Sequence, residues 1–346
     1  MSMLASEFEQ LKIESCRLGS DPMIIQGAGG NTSIKDGQLM WIKASGKWLM
    51  HALDEEVFVP VNRPRLLEAF ENNDPRAEKA LTFVDQQLNP LSLRPSIETT
   101  LHAVMKQRVV IHVHCVDTIA LAIRADASDV LYDKLREFKW AIVPYVRPGL
   151  PLSRSIAESL SADTDVLVLG NHGLVVAADD VQSCISLLDR VRVALRQTVR
   201  LVEIATHQLS SEDLGERYLP AQKQETTLLA FDDTALTVAA GGSLYPDHVI
   251  FIGEGSVFAR DGETADDVCA RYASRGKSEP VSIVFPGKGV AMLESASPGQ
   301  QALARCLSDV CLRVGKGTVV NYLNERENDE LLNWEAEQYR QTLSQP

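Results

Sequence analysis

The sequence lacks any apolar run long enough to cross a lipid bilayer. The longest runs, VVIHVHCV at 109–116 and TDVLVLG at 164–170, are far shorter than the roughly 20 residues that a spanning helix needs. The N-terminal segment is acidic and amphipathic, unlike a signal peptide. The six cysteines include no CxxC pair, and a chain of this size does not need disulfides. We therefore expect a cytoplasmic protein with reduced thiols and no membrane partner.

Positive charge is also scarce. The chain has 34 Lys and Arg against 47 Asp and Glu, which gives a formal net charge of −13. This balance argues against a nucleic-acid partner, because sequence-independent binding needs a basic surface. A small anionic substrate stays possible, since backbone amides and one or two lysines can bind an anion locally.

Nucleotide-binding fingerprints are missing as well. The segment 27–31, GAGGN, is followed by a strand-like pattern rather than by a helix, and 315–318, GKGT, lacks the upstream glycine of a P-loop. We therefore predict no NAD site. The segments 27–31 and 43–47 could each be an anion-binding loop or a plain turn.

Apolar patterns predict a mixed α/β protein. Strands are predicted at 32–35, 39–43, 57–61, 109–116, 141–146, 165–170, 173–178, 248–253, 281–287 and 290–293. Helices are predicted at 7–18, 64–72, 77–88, from 96 onward, and at 118–124, 130–138, 180–207, 264–274, 299–313 and 327–341. The length of 346 residues favours one large or two unequal domains. A polar segment that breaks the pattern predicts domains at 1–215 and 216–346.

Three histidines form the main candidate site. His112 and His114 are two apart on a predicted strand and therefore point to the same face. This spacing by itself favours a hydrogen-bonded pair of core histidines over metal ligands. His172 lies between two glycines in a turn, where a histidine has little packing role. Three imidazoles with an open fourth position are typical of a catalytic zinc site.

Glu98 is the candidate carboxylate. It falls in the first turn of a helix for which Ser96 is the predicted N-cap. An ordinary first-turn glutamate, a metal ligand and a general base all remain open from the residues alone. His102 is either a packed residue or one that supports the site. We interpret His51, His207 and His248 as structural or surface residues.

Five motifs in order resemble the class II aldolase/adducin superfamily, which includes sugar-phosphate aldolases, ribulose-phosphate 4-epimerases and decarboxylases. They are GAGGNTSI, IKASG, RPSIET, IHVHCVD and GNHGLVV, spread over roughly residues 5–210. The resemblance is greatest to the aldolase part of bifunctional rhamnulose-1-phosphate aldolase/alcohol dehydrogenase proteins. It implies a three-layer αβα sandwich with a largely antiparallel central sheet, plus a smaller C-terminal α/β domain of unknown role.

The resemblance also implies residue roles and an assembly. His112, His114 and His172 would bind a divalent metal, zinc first, with manganese or cobalt as alternatives. Glu98 would be the acid/base residue. The partner would be a small sugar-like substrate, and the chain would form a homo-oligomer, with a tetramer favoured. Four residues fall where the family binds substrate phosphate: Asn31, Ser45, Gly46 and Ser96.

Two positions depart from the family pattern. Ile97 stands where many sugar-phosphate aldolases have a second serine, and Ala28 stands where a hydroxyl is expected. Both changes remove phosphate hydrogen bonds, so a substrate with a carboxylate is an alternative to a phosphorylated one. Lys43 or Lys47 could instead supply the missing contact.

These features together predict a metal-dependent lyase. It would cleave or form a carbon–carbon bond in a sugar phosphate or related hydroxy-carbonyl compound through a metal-stabilised enediolate. A 4-epimerase or a decarboxylase of the same superfamily is the first alternative. A non-catalytic adducin-like assembly module is the alternative from another class. A metal-dependent hydrolase is disfavoured by the missing HExxH and Ser/His/Asp patterns.

Overall fold

A seven-stranded sheet lies at the centre of the first of two compact units in the computed structural model, which describes residues 3–204 and 208–335. Its strands are β1 Asn31–Asp36, β2 Leu39–Lys43, β3 Phe58–Asn62, β4 Val109–Val113, β5 Trp140–Val143, β6 Val166–Leu169 and β7 Gly173–Ala178. The order is β3-β2-β1-β4-β7-β6-β5. Only the β5–β6 pair is parallel, so the predicted, largely antiparallel sheet is confirmed.

Helices pack against both faces of this sheet. The helices between residues 3 and 196 are α1 Met3–Gly19, α2 Arg63–Glu71, α3 Thr99–Val104, α4 Val116–Ala122, α5 Ala127–Leu135, α6 Leu150–Ser159 and α7 Val181–Leu195. α1 and α7 lie against the central strands on one face, while α2, α3 and α6 pack on the other. Val110 of β4 belongs to the core beneath α3 and α6. His112, two residues later, therefore faces the start of α3.

The second unit is a smaller α/β structure, as predicted. Its helices are α8 Ser211–Leu214, α9 Gln224–Thr227, α10 Asp233–Ala240, α11 Pro246–Ile252, α12 Ala265–Ala273, α13 Pro298–Cys311 and α14 Glu325–Leu332. Its strands are β8 Tyr218–Pro220, β9 Ser282–Phe285 and β10 Gly289–Leu293, which form an antiparallel sheet of order β8-β10-β9. None of the helices in the described residues is long and apolar enough to cross a membrane.

The two units do not divide the chain at one point. The first comprises the residues up to Thr118 and Ser128–Arg196, and the second comprises Ile119–Ala127 and the residues from Gln197 onward. The boundary at residue 215 stays a prediction from the sequence.

Three helix predictions are wrong in part or whole. The segment 77–88 forms short 3-10 turns at Pro75–Glu78, Ala80–Phe83 and Gln86–Leu88. Its buried residues Ala77, Ala80 and Phe83 are three positions apart. This spacing matches the three residues per turn of a 3-10 helix, and it is close enough to the α-helical period to suggest an α-helix from the sequence. The helix predicted at 180–207 ends at Leu195, and His207 lies outside the described residues. The helix predicted at 327–341 ends at Leu332, and residues 336–341 lie outside the described residues.

One strand prediction is wrong. The segment 248–253 belongs to α11, which has Pro246 at its start and all seven residues buried. A short apolar run that is buried on every side has no period to separate helix from strand.

Candidate metal centre

His112, His114 and His172 meet in a buried cluster. His112 is in β4, His114 directly follows this strand, and His172 lies in the turn between β6 and β7. Because β4 pairs with β7 in the sheet, the turn reaches the end of β4. The ring centroids are 4.9, 4.9 and 5.1 Å apart, and one nitrogen of each ring lies within 4.8 Å of the others.

Glycines on two sides allow this approach. A Cβ atom at Gly173 would lie 2.5 Å from the Val113 carbonyl oxygen and 3.3 Å from the His112 ring. Gly30 has φ +58°, and a Cβ there would lie 2.9 Å from the His112 carbonyl oxygen. Larger residues at either position would displace the strand that carries two of the three imidazoles.

The donor set fits a divalent metal. His112 Nδ1 lies 3.1 Å from the Leu174 carbonyl oxygen, so it donates there and leaves the lone pair of Nε2 facing the cluster. The Nε2 atoms of His112 and His114 are 3.1 Å apart. Two nitrogens bound to one tetrahedral zinc are about 3.3 Å apart, given bonds of about 2.0–2.1 Å. In the described part of the chain, these histidines are the one His/Cys/Asp/Glu group with such spacing.

Glu98 lies across this cluster from the start of α3. Its Oε2 is 3.4 Å from His112 Nε2 and its Oε1 is 3.5 Å from His172 Nε2. Burial by itself would raise the pKa of Glu98, but the three imidazoles and the Asn31 amide outweigh burial and lower the pKa to about 2. Glu98 is therefore an ionised carboxylate at neutral pH.

The prediction for the helix start needs correction. α3 begins at Thr99, Glu98 occupies the N-cap position without a capping hydrogen bond, and Ser96 is not the N-cap. Ser96 donates its backbone N–H to the Lys43 carbonyl at 3.0 Å, which ties it to the end of β2 and keeps it out of the helix. The Glu98 side chain consequently points to the histidines instead of capping α3.

Asn31 and Ser96 contact the carboxylate region directly. Asn31 Nδ2 donates to Glu98 Oε2 at 2.8 Å and lies 3.2 Å from Ser96 Oγ. Ser45 and Gly46 lie in the turn after β2, where the Ser45 backbone N–H donates to the Arg94 carbonyl at 2.9 Å. Asn31, Ser96 and Glu98 thus contact one another. Ser45 and Gly46 lie on the neighbouring turn.

Both lysines from the predicted anion segment contact groups within the protein. Lys43 is buried and donates to the Ala28 carbonyl at 2.7 Å, inside the glycine-rich segment. Lys47 forms an ion pair with Glu55 at 2.6 Å. The suggestion that one of these lysines supplies the missing anion contact stays a prediction from the sequence.

The sequence alone did not identify the role of His102, and it gave no role to Ser33. His102 Nδ1 lies 2.7 Å from Ser33 Oγ, and its Nε2 contacts Asn31 Oδ1. The signal was present: His102 is four residues after Glu98 and shares its helical face. Ser33 is two residues after Asn31 on β1 and shares its side of the sheet.

Two other histidines lie away from the cluster. His51 ends a 3-10 turn after β2. His248 is fully buried in α11 and accepts a hydrogen bond at Nδ1 from the Leu244 backbone N–H at 3.3 Å. Neither contacts the cluster, and the interpretation of both as structural or surface residues stays a prediction.

Known proteins share parts of this chain. The uncharacterized oxidoreductase YuxG of Bacillus subtilis is 24% identical over 288 residues, which cover 72% of this chain and 42% of that protein. The chain thus spans less than half the length of this relative. An L-fuculose phosphate aldolase of Methanococcus maripaludis is 26% identical over 212 residues, 59% of this chain and 97% of that one. The 3-oxo-tetronate 4-phosphate decarboxylase of Escherichia coli is 29% identical over 124 residues, 32% of this chain and 56% of that one.

A family model covers the part that carries the histidines. The model of the Class II Aldolase and Adducin N-terminal domain matches residues 11–199, more than half of the chain. This range includes β1 to β7, the three histidines and Glu98. The chain belongs to the class II aldolase and adducin N-terminal domain family.

Proposed function

We propose that the protein is a metal-dependent lyase that cleaves or forms a carbon–carbon bond beside a carbonyl group. The observation that carries this proposal is the buried Glu98 carboxylate, whose two oxygens lie 3.4 and 3.5 Å from imidazole nitrogens of His112 and His172. A structural zinc site has four closed ligands, whereas this site combines three imidazoles with one ionisable group.

The imidazoles, Glu98 and the strand that carries the histidines have different roles in this proposal. A divalent metal held by the three imidazoles, zinc in our proposal with manganese or cobalt as alternatives, supplies a Lewis acid for the carbonyl oxygen. Glu98 is ionised and takes a proton from, or returns it to, the carbon beside that carbonyl. The buried β4 strand and the glycine turn hold the imidazoles in fixed directions. Burial of the whole cluster excludes bulk water from the proton transfer.

The substrate class follows from the polar groups near Glu98. We propose a sugar-like hydroxy-carbonyl compound whose anionic group binds near Ser96, Ser45 and Gly46. The similar Methanococcus protein is a sugar-phosphate aldolase, which favours a phosphate. Backbone amides and hydroxyls are the donors that we propose for it.

Decarboxylation is the second candidate reaction. It is favoured by the similarity to the 3-oxo-tetronate 4-phosphate decarboxylase, and the same proton transfer by Glu98 serves it. A 4-epimerisation by cleavage and re-addition would also use these groups. We further propose a cytoplasmic homo-oligomer, with a tetramer favoured, and domains at 1–215 and 216–346.

Metal analysis and a substrate panel test this proposal. Purified protein is expected to contain about one zinc, manganese or cobalt per chain and to cleave one of a panel of sugar phosphates, tetronates and hydroxy acids. His112→Ala should lose the metal and the activity, while His51→Ala, a histidine outside the cluster, should keep both. A chain with no bound metal and no metal-dependent activity would support the non-catalytic module instead.

A further inference from the structure

Four buried polar side chains form a continuous hydrogen-bonded chain that ends on Glu98. Ser33 Oγ lies 2.7 Å from His102 Nδ1, and His102 Nε2 contacts Asn31 Oδ1. The Asn31 amide nitrogen donates to Glu98 Oε2 at 2.8 Å. Ser33 and His102 are fully buried, and the other two are 4% exposed. Water therefore does not compete for these contacts, and each group depends on its neighbour.

The direction of every hydrogen bond follows from the Asn31 side chain. Its Nδ2 lies 2.8 Å from Glu98 Oε2 and its Oδ1 faces His102 Nε2, so the amide donates to Glu98 and accepts from His102. His102 must then donate through Nε2 and accept at Nδ1 from the Ser33 hydroxyl. Burial lowers the pKa of His102 well below its usual value. His102 is consequently the neutral Nε2–H tautomer.

This direction makes the two oxygens of Glu98 different. Oε2 accepts the hydrogen bond from Asn31, whereas Oε1 is buried and accepts no hydrogen bond from the described residues. Oε1 also lies 3.5 Å from His172 Nε2, on the side of the imidazole cluster. An oxygen already occupied by a donor is a weaker proton acceptor than one that is not.

We propose that His102 and Asn31 are positioning residues that hold Glu98 by Oε2 and leave Oε1 as the atom that exchanges a proton with the substrate. The inference rests on the proposed role of Glu98 as the acid/base group. It changes the role of Asn31, since both ends of its side-chain amide are engaged within the protein instead of with a substrate phosphate.

His102 acts by fixing which way the Asn31 amide faces. A rotated amide would place Oδ1 against Glu98 Oε2, so that two acceptors would repel each other at 2.8 Å. The Nε2–H group of His102 prevents this rotation because it needs an acceptor opposite it. Without His102, the two amide orientations become closer in energy and the carboxylate is no longer held in one place.

The tautomer can be measured without any substrate. In ¹⁵N spectra of the zinc-loaded protein, with the His102 signals identified from their loss in His102→Gln, we expect a protonated Nε2 and an unprotonated Nδ1. A protonated Nδ1 would reverse the whole hydrogen-bond chain and overturn the inference, whatever the activity of the protein.

Kinetics of matched variants test the positioning role. The His102→Leu variant should keep its zinc and its KM within about threefold, but its kcat should fall at least about tenfold, a part of the 10²–10⁴-fold that general acid–base groups supply. His102→Gln restores an N–H donor near the position of Nε2 and should recover kcat to within about threefold of wild type. Deuterium exchange at the α-carbon of hydroxyacetone and dihydroxyacetone phosphate should follow the same order, because it reports the proton transfer alone.

A double-mutant cycle separates positioning from general stability. Asn31→Leu removes the donor to Glu98 without adding an acceptor, so His102→Leu should have little further effect on kcat in that background if the residues act as one unit. Additive losses would overturn the inference, as would zinc loss in His102→Leu that matches its loss of activity. Wild-type protein without metal-dependent activity would contradict the proposed function itself, and the tautomer measurement would still decide the hydrogen-bond chain.

Discussion

Single residues at the ends of β4 set the geometry of the candidate centre. Asn31 pairs directly with His112 in the β1–β4 register, so the residue that holds Glu98 and a metal-binding residue sit side by side. Gly173 occupies the equivalent place on the other side, against Val113 and the rings. A metal site of this kind depends as much on what lies beside the ligands as on the ligands.

Replacement of Gly173 should show this dependence. Gly173→Ala places a methyl group 2.5 Å from the Val113 carbonyl oxygen, and we expect it to lower the free energy of unfolding by about 1–3 kcal/mol and to reduce zinc affinity. Gly299→Ala is the matched control, because its new methyl would meet the Phe251 ring at an ordinary 3.4 Å. Thermal unfolding and zinc titration measure both variants. Equal zinc affinity in the two would show that Gly173 does not shape the centre.

At the scale of elements, the strands of the first unit were predictable because their apolar character is local. The orientation of His112 and His114 was predictable for the same reason, since residues two apart on a strand point to the same face. The pairing register of β1 and β4, which places Asn31 beside His112, could not be predicted, because these two strands are far apart in sequence. The end of α7 also depends on distant residues: beyond it, Arg200 pairs with Asp232 at 2.7 Å and donates to the Cys311 carbonyl at 2.9 Å.

The buried helix α11 should make the protein sensitive to acid. Burial lowers the pKa of His248 from 6.5 to about 4, so the unfolded chain binds a proton between these values and the folded chain does not. Stability is then lost as the pH falls from about 6.5 to about 4, by up to about 3 kcal/mol. His248→Asn keeps an acceptor for the Leu244 N–H but cannot titrate.

Urea unfolding at several pH values between 8 and 4.5 measures this contribution. The variant should be less stable than wild type near pH 7, because it leaves a small cavity. The difference between the two proteins should shrink as the pH falls, since only wild type loses stability through this side chain. A difference that stays constant with pH would contradict the assignment.

At the scale of the whole molecule, the second unit takes a segment from the middle of the first. Within the second unit, Ala125 donates its N–H to the Val319 carbonyl at 2.9 Å, and Asn321 donates to the Ile123 carbonyl at 2.7 Å. An isolated bridge between Arg124 and Val320 joins the same two stretches. A single cut in the chain cannot separate the two units without breaking these contacts.

A fragment of residues 1–215 should therefore be less stable than the full chain. It contains the 119–127 segment but lacks Val319 and Asn321, so backbone groups at Ile123 and Ala125 lose their partners. We expect a midpoint of thermal unfolding at least about 5 °C lower and increased binding of a hydrophobic dye. A midpoint within about 2 °C of the full chain would mean that the segment contributes little, and zinc content reports whether the centre survives the cut.

The same segment has a consequence for synthesis on the ribosome. Arg124 and Asn321 are 197 positions apart in the chain, and chains grow at about 5–20 residues per second. The 119–127 segment therefore waits roughly 10–40 s after it emerges before its final partners exist. During that interval the nascent first unit carries an unfinished stretch with Ile119 and Ile123, residues that are buried in the finished protein. The yield of this protein should thus depend on the speed of translation and on chaperones that shield apolar segments. The dependence should be stronger than for a protein in which one unit follows the other along the chain.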